Sequence, residues 1–542
     1  MIMIDKLYKK YSVILLLILL LAGFLRLYKL DQNPPALYWD EVSLGYNAFA
    51  VMTTGHDEHG ELFPLARFIA FGDYKPPGYI YSIIPGFLLL GVNDFTVRLP
   101  SALSGILMVF LTYLLVNQLT KRKLVALTAA LVLAISPWSL QLSRAAFEAH
   151  LAALLNLAAI LCFINIDKRK WLLLLSVVLF ALSFYTFNAN RILAPLFVIL
   201  LSIIYWKQLW TMKRWVAASV IIGLAMLIPS ITYLQSRESR LRFQEVSIFT
   251  SLDVIKKSNE RIERAGNTFW AKVIHNRRVY FAREFLIHYF DHFKGDYLFV
   301  SGDRNPRLSI QDVGELFIYE APFLVFGLLY FLYRRDRVSV LLLGWLLLAP
   351  IPAATARETP HMLRTASMLP VPQILVACGI GVFVDWVRRQ QKKIKIAGLG
   401  LLMGAAIVSF VYYQHNYWVH YPSSYSGEWQ YGYKQMVANV NKLENNFPTV
   451  WVTSSLGRPY IYFLWYNKVN PLEYLGMRRA ERDWYGLWNV YGFGRYEFTD
   501  ELKTSEKQVL KVTRGGGLEE EARKFTEVKA LDGSTVFEIG QP

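Results

Sequence analysis

The chain holds only two cysteines, Cys162 and Cys378, and both fall inside apolar runs. That argues against a disulfide framework and against a thiolate metal site. It has no Walker loop, no dinucleotide fingerprint and no serine nucleophile elbow, so nucleotide-driven and serine-hydrolase chemistries have no motif to rest on. The apolar runs are nearly free of internal charge. A transporter is expected to place ionisable groups near mid-membrane, in broken helices of paired repeats, and no fixed-period repeat is visible. These absences turn the expectation from transport toward chemistry at the membrane surface.

What the sequence does contain is apolar residues in long blocks. Of its 542 residues 54% are hydrophobic, and continuous runs such as 11–27 are long enough to cross a bilayer as helices. A β-barrel would show alternating rather than continuous hydrophobicity. The expected fold class is an all-α polytopic membrane protein with a C-terminal extracytoplasmic α/β domain. Spans are expected near 12–28, 99–118, 124–141, 146–166, 171–187, 192–206, 215–233, 317–333, 338–352, 365–386 and 395–413. The first begins like a signal peptide, but its apolar run is long and no small-residue cleavage site follows, so it reads as an uncleaved span.

The net charge of +17 is gathered between the apolar runs, at Lys6/Lys9/Lys10, Lys121-Arg122-Lys123, Lys168-Arg169-Lys170, Lys213-Arg214, Arg334-Arg335-Asp336-Arg337 and Arg388-Arg389 with Lys392-Lys393. With the N-terminus inside, every cluster falls on the cytoplasmic side. This placement accounts for the charge without a nucleic-acid partner. The expected organisation is a transmembrane domain over 1–413 with outer loops 31–98 and 234–316, followed by a soluble domain over 414–542. Within the first loop, 79–92 is short for a span and contains Pro85 and Gly86, which suits a surface-lying or re-entrant helix. The second loop mixes arginine with aromatics, as interfacial helices do. In the last segment, 449–454 and 535–539 read as strands, with a turn at Arg514-Gly-Gly-Gly.

The candidate reactive groups lie at the outer ends of the expected spans. Asp40 and Glu41 follow the first span; Asp40 suits the N-cap of a helix over 41–53 ending at Gly55, and equally a general base beside the bilayer. Lys75, in Phe71-Gly-Asp-Tyr-Lys-Pro-Pro-Gly, stands on a backbone stiffened by two prolines. Its ammonium suits either snorkelling to lipid phosphate or recognition of a leaving-group phosphate. Arg144 and Glu148, four apart at the start of the fourth span, would share a helix face as a structural pair or as part of a site. Tyr185 and Asn188-Ala-Asn-Arg191 form a tight outer turn. His361 and Arg364, three apart at the tenth span, suit an anion, or a helix cap and interface anchor. His56-Asp57-Glu58-His59 has the residue types of a divalent-metal site, and its glycine neighbours equally suit a flexible polar loop.

Taken together, Trp39-Asp40-Glu41, Tyr74-Lys75-Pro76-Pro77, Arg98-Leu-Pro-Ser101, Ser143-Arg144 with Glu148, and Pro360-His361 with Arg364 resemble the bacterial GT-C glycosyltransferases. The resemblance covers roughly residues 10–415 and is nearest the protein O-mannosyltransferase and lipid A aminoarabinose transferase branch (glycosyltransferase family 39-like). It implies transfer of a sugar from a polyprenyl-phosphate donor to a lipid, glycan or protein acceptor, outside the cytoplasm, at the plasma (inner) membrane of a prokaryote. On this likeness Asp40, Glu41 and Glu148 are the acidic catalytic positions, and Lys75, Arg191, His361 and Arg364 meet the donor phosphate. Arg144, Tyr74 and Tyr185 line the site. The chemistry this implies is inverting, with Asp40 as base and cationic side chains in place of a required metal. The competing expectation is a flippase or carrier for lipid-linked sugars.

Overall fold

The computed structural model of the protein describes residues 2–71, 74–484, 487–500 and 508–542. Each expected span coincides with a helix: Ile2–Leu27, Asp94–Thr120, the pair Lys123–Ile135 and Pro137–Arg144, Glu148–Phe163, Leu172–Phe184, Asn190–Ile204, Lys213–Gln235, Ala321–Arg334, Arg337–Leu348, Val371–Arg388 and Lys392–His415. Among the described residues, six helical stretches are long and apolar enough to cross a membrane. A seventh is added if Lys123–Ile135 and Pro137–Arg144, bent by 53°, count as one. The other four helices are 13–16 residues long. At ~1.5 Å per residue they cover only ~20–24 Å, so they fill the hydrocarbon core only together with their flanking turns.

The chain divides into two compact units. The first comprises Met1–Arg26, Leu103–Leu142 and Glu148–Tyr413. Its helices pack as membrane helices do, through small residues that let backbones approach. A Cβ on Gly327 would stand 2.0 Å from the Leu375 carbonyl oxygen, and one on Gly379 would stand 1.9 Å from that of Phe323, so Ala321–Arg334 and Val371–Arg388 touch backbone to backbone. The expected interfacial stretch 234–316 is broken into short helices, among them Leu252–Arg264 and Arg277–Asp291, with Phe269, Trp270, Leu286 and Phe290 exposed.

The second unit comprises Leu27–Ala102, Ser143–Phe147 and Gln414–Pro542. The first outer loop therefore groups with the C-terminal segment. The stretch expected at 79–92 is the helix Pro77–Leu90, 14 residues with Pro85 inside. The C-terminal segment carries a seven-stranded sheet in the order Arg478–Arg482, Trp488–Phe493, Tyr496–Phe498, Thr449–Val452, Val509–Arg514, Thr535–Gln541, Arg523–Lys529. Thr449–Val452 is central and runs parallel to both neighbours, while the other pairings are antiparallel. Pro459–Tyr466, a helix made almost wholly of aromatic and aliphatic residues, is buried along nearly its whole length.

Candidate active site

The candidate residues fall into two groups, one in each compact unit. In the second unit, Tyr38 enters extended (φ −81°, ψ 166°) and is the N-cap of the helix Trp39–Thr54. Asp40 is therefore not the N-cap expected of it. It stands in the first turn, where a carboxylate is favoured by the helix dipole, while Gly55 closes the helix at φ 75° as expected.

Lys75 reaches Asp40 from a two-stranded ribbon in which Phe68 pairs with Lys75 and Ile69 with Tyr74. Pro76 and Pro77 then lead straight into the helix Pro77–Leu90, so the backbone is held on both sides of the lysine. Gly72 and Asp73 of this motif lie outside the described residues. Lys75 Nζ is 3.1 Å from Asp40 Oδ1. Asp40 keeps a quarter of its side chain open, and its Oδ2 has no partner among the described residues. Tyr74 is buried beneath the Arg67 guanidinium, 5.8 Å from the ring centroid.

Glu41 differs from Asp40 in every respect. It is fully buried and held bidentate by Arg98, which donates Nε to Oε1 and Nη2 to Oε2, each at 2.8 Å. The same carboxylate accepts the Tyr38 N–H at 3.3 Å and the Ala146 N–H at 2.7 Å. Arg98 also donates to the carbonyls of Leu30, Pro34 and Ala36. Four donors on two oxygens leave Glu41 no free lone pair for a proton. The geometry makes it the carboxylate that positions the start of the helix bearing Asp40.

Arg144 is likewise buried. It donates to the carbonyls of Tyr28, Lys29 and Asn33 and to the Tyr417 hydroxyl, with its guanidinium 4.9 Å from the Trp418 ring. The helix it ends, Pro137–Arg144, stops before Glu148 opens the next, Glu148–Phe163. The expected shared face of Arg144 and Glu148 does not exist. The intervening turn spends its Ala146 N–H on Glu41.

Three residues that sequence reasoning did not single out hold Trp39. Its backbone N–H donates to Gln430 Oε1 at 2.8 Å, and Tyr462 donates its hydroxyl to the same oxygen at 2.8 Å. A Cβ on Gly457 would stand 2.6 Å from the Trp39 ring, at a φ of +129°. Gly457 follows Thr453-Ser454-Ser455, whose backbone and hydroxyl groups converge on Asp500. Next to Gly457, the Arg458 guanidinium lies 5.8 Å from the Phe71 ring.

The His56–His59 stretch is committed to local structure. Asp57 Oδ1 accepts the N–H groups of His59 and Glu61, Glu58 accepts from Asn47 and Tyr460, and the His59 ring stacks on Trp488 at 5.5 Å. Burial pushes the Asp57 carboxyl up from its ordinary range. Among the described residues no three His, Cys, Asp or Glu side chains converge in a way that could hold a metal ion.

In the first unit, His361 and Arg364 lie in a turn ahead of Val371–Arg388, not on the helix itself. His361 Nδ1 is 3.9 Å from Asp303 Oδ2, and that oxygen accepts the Met362 N–H at 2.7 Å. Asp303 in turn donates its backbone N–H to Glu315 Oε1 at 3.1 Å. His292 Nε2 accepts the His361 N–H at 3.2 Å. Burial pushes Asp303 up to about 6 and Glu315 well above the carboxylate range. It pulls His292 down to about 4 and, with Arg364 adding repulsion, His361 well below the usual imidazole range. Asp303, Glu315 and His292 had no sequence signal of their own. Arg364 donates to the Glu358 carbonyl at 3.3 Å.

Arg191 lies between rings, 5.8 Å from that of Phe184 and 5.0 Å from that of Tyr233. Tyr185 donates its hydroxyl to the Met226 carbonyl at 2.7 Å. Glu148 is nearly buried at the first position of its helix.

Residues 16–241 match the sequence family described as dolichyl-phosphate-mannose-protein mannosyltransferase. A putative mannosyltransferase of Bacillus subtilis, YkcB, is 33% identical over 174 residues, which are 31% of this chain and 23% of the relative. The matched stretch thus spans less than a quarter of that relative's length. The crystal structure of ArnT from Cupriavidus metallidurans in the apo state aligns over 98% of both chains with a TM-score of 0.55 at 13% identity, a likeness of fold.

Proposed function

We propose that the chain is a GT-C membrane glycosyltransferase that moves a sugar from a polyprenyl-phosphate donor to an acceptor hydroxyl on the extracytoplasmic face of a prokaryotic inner membrane, a reading supported by the family match over residues 16–241 and by the likeness of fold. The observation that carries this reading is the Asp40–Lys75 pair. One carboxylate oxygen is bound by a fixed ammonium and the other has no partner among the described residues.

In this proposal Asp40 Oδ2 takes the acceptor hydroxyl proton as the acceptor oxygen attacks the anomeric carbon. The bond from that carbon to the phosphate oxygen breaks, and the polyprenyl phosphate leaves with the electron pair. Lys75 meets the developing negative charge. A phosphate is a good leaving group, so no protein acid is needed, and attack from the opposite face inverts the anomeric centre. Glu41 and Arg98 hold the first turn of the Trp39–Thr54 helix so that Asp40 keeps its aim. His361, Arg364, Glu148 and Arg191 are secondary candidates that rest on the family likeness alone.

The test is incubation of the purified protein with a labelled polyprenyl-phosphate sugar and a membrane extract. Label in a new glycosidic product, absent with Asp40→Asn, supports transfer. Label that only changes leaflet would make the protein a carrier and overturn the proposal. The anomeric configuration of the product, read by NMR, decides inversion.

A further inference from the structure

We propose a second, separate binding site, for the phosphate headgroup of an anionic phospholipid, in a cavity of about 420 Å³ in the first unit. It lies where the helices Asp94–Thr120, Lys123–Ile135 and Glu148–Phe163 end or begin. Lys121, Lys123 and Lys168 line it, with no carboxylate among the lining residues. Arg122, which sits between two of these lysines, is paired with Asp385 at 2.6 Å, and the Lys123 Nζ also lies 5.4 Å from the Tyr11 ring.

The remaining polar lining is amide. Asn165 donates its Nδ2 to Gln118 Oε1 at 2.8 Å and braces one wall, which leaves Gln118 Nε2 as a donor without a partner among the described residues. Lys121 turns the chain between two helices at φ 56°, which fixes it on the rim. Three cations and spare amide N–H groups around one hollow suit a tetrahedral oxyanion and disfavour a cationic or neutral guest.

The position selects lipid. Lys121 follows directly on the last residue of a 27-residue apolar helix, so the cavity stands at headgroup depth. Leu114 and Leu161 form its apolar side, where the first methylenes of acyl chain would lie. Basic pockets between membrane helices recognise anionic headgroups, with each nearby lysine adding to the attraction.

The experiment uses the full chain reconstituted in bilayers of phosphatidylcholine doped with phosphatidylglycerol, followed by native mass spectrometry of the released protein. Wild type is expected to retain phosphatidylglycerol in preference to phosphatidylcholine. Lys121→Gln with Lys123→Gln and Lys168→Gln should lose that retention by about tenfold or more, and the matching Lys→Arg triple variant should keep it. Equal retention by wild type and the Gln variant would overturn the site. Displacement of the lipid by millimolar inorganic phosphate would also overturn it, since the cavity would then take free phosphate. Unchanged thermal unfolding of the Gln variant assigns any loss to the site and not to folding.

Discussion

Lys75 Nζ stands 3.1 Å from Asp40 Oδ1, although the two residues come from different local structures, a helix start and a two-residue strand. The contact joins the proposed base to the proposed phosphate ligand before any substrate is present. It also separates their predicted phenotypes. Asp40→Asn keeps a polar partner for Lys75 but removes the proton acceptor, so kcat is expected to fall by ~10²–10⁴ with donor affinity little changed. Lys75→Gln should weaken donor binding as well as lower kcat. Steady-state kinetics on varied donor distinguish the two, and an Asp40→Asn enzyme with wild-type kcat would remove the base assignment.

Glu41 and Arg98 form a fully buried pair in a polar cage. Removing one partner of such a pair leaves an unpaired buried charge, so Glu41→Gln is expected to cost about 3–5 kcal/mol of stability. Arg98→Met should cost no less, because the carbonyls of Leu30, Pro34 and Ala36 lose their donor at the same time. For the same reason the double variant Glu41→Leu with Arg98→Met should not recover wild-type stability. Thermal unfolding of the four proteins in one detergent checks the order.

The long apolar runs made the helices legible, and the chain does place a helix at each expected span, because hydrophobicity in a bilayer is a local property of the sequence. The short loop signals at Asp40 and Lys75 stood out for a similar reason: they lie in a loop expected on the side away from the basic clusters, where the positive-inside pattern does not account for them. Partnerships were not. Glu41 meets Arg98 across 57 residues, and Asp303 stands by His361 at a comparable separation, and no local pattern encodes either pairing. Arg144 and Glu148 failed in the opposite direction. Their spacing suited one helix, but the chain breaks between them to release a backbone N–H for Glu41.

Gly457 supplies the third prediction. Its φ of +129° disfavours any side chain, and a Cβ there would meet both the Trp39 ring and the Gln430 amide. Gly457→Ala should therefore displace Trp39 and, through it, Asp40. Transfer activity is expected to fall at least tenfold while the β-sheet signal in circular dichroism is kept. Asn467→Ala, at the half-buried C-cap of the helix Pro459–Tyr466 that follows, should leave activity unchanged. Equal activity of Gly457→Ala and wild type would mean that the 453–458 loop does not position the helix start.

The fourth prediction concerns acid stability. His292 Nε2 accepts the His361 N–H, a role open only to the neutral ring, and its Nδ1 is buried without a partner among the described residues. Burial lowers its folded value from 6.5 to about 4. Between those values the unfolded chain binds the proton and the folded chain does not, so stability falls as pH drops from about 6.5 to about 4 and the loss is complete below that. The shift corresponds to about 3 kcal/mol. Asp303 works against it: its raised value, about 6 against 3.8, makes the folded state take up a proton first, so its contribution to stability rises over much of the same window as pH falls. The wild-type profile should therefore be shallow between pH 6 and 4. His292→Gln removes the first slope and should make the protein relatively more stable in acid, whereas Asp303→Asn removes the second and should leave a steeper acid loss. Midpoints of thermal unfolding between pH 4 and 7 separate the two variants, and parallel profiles for wild type and both variants would show that neither group titrates as its burial dictates.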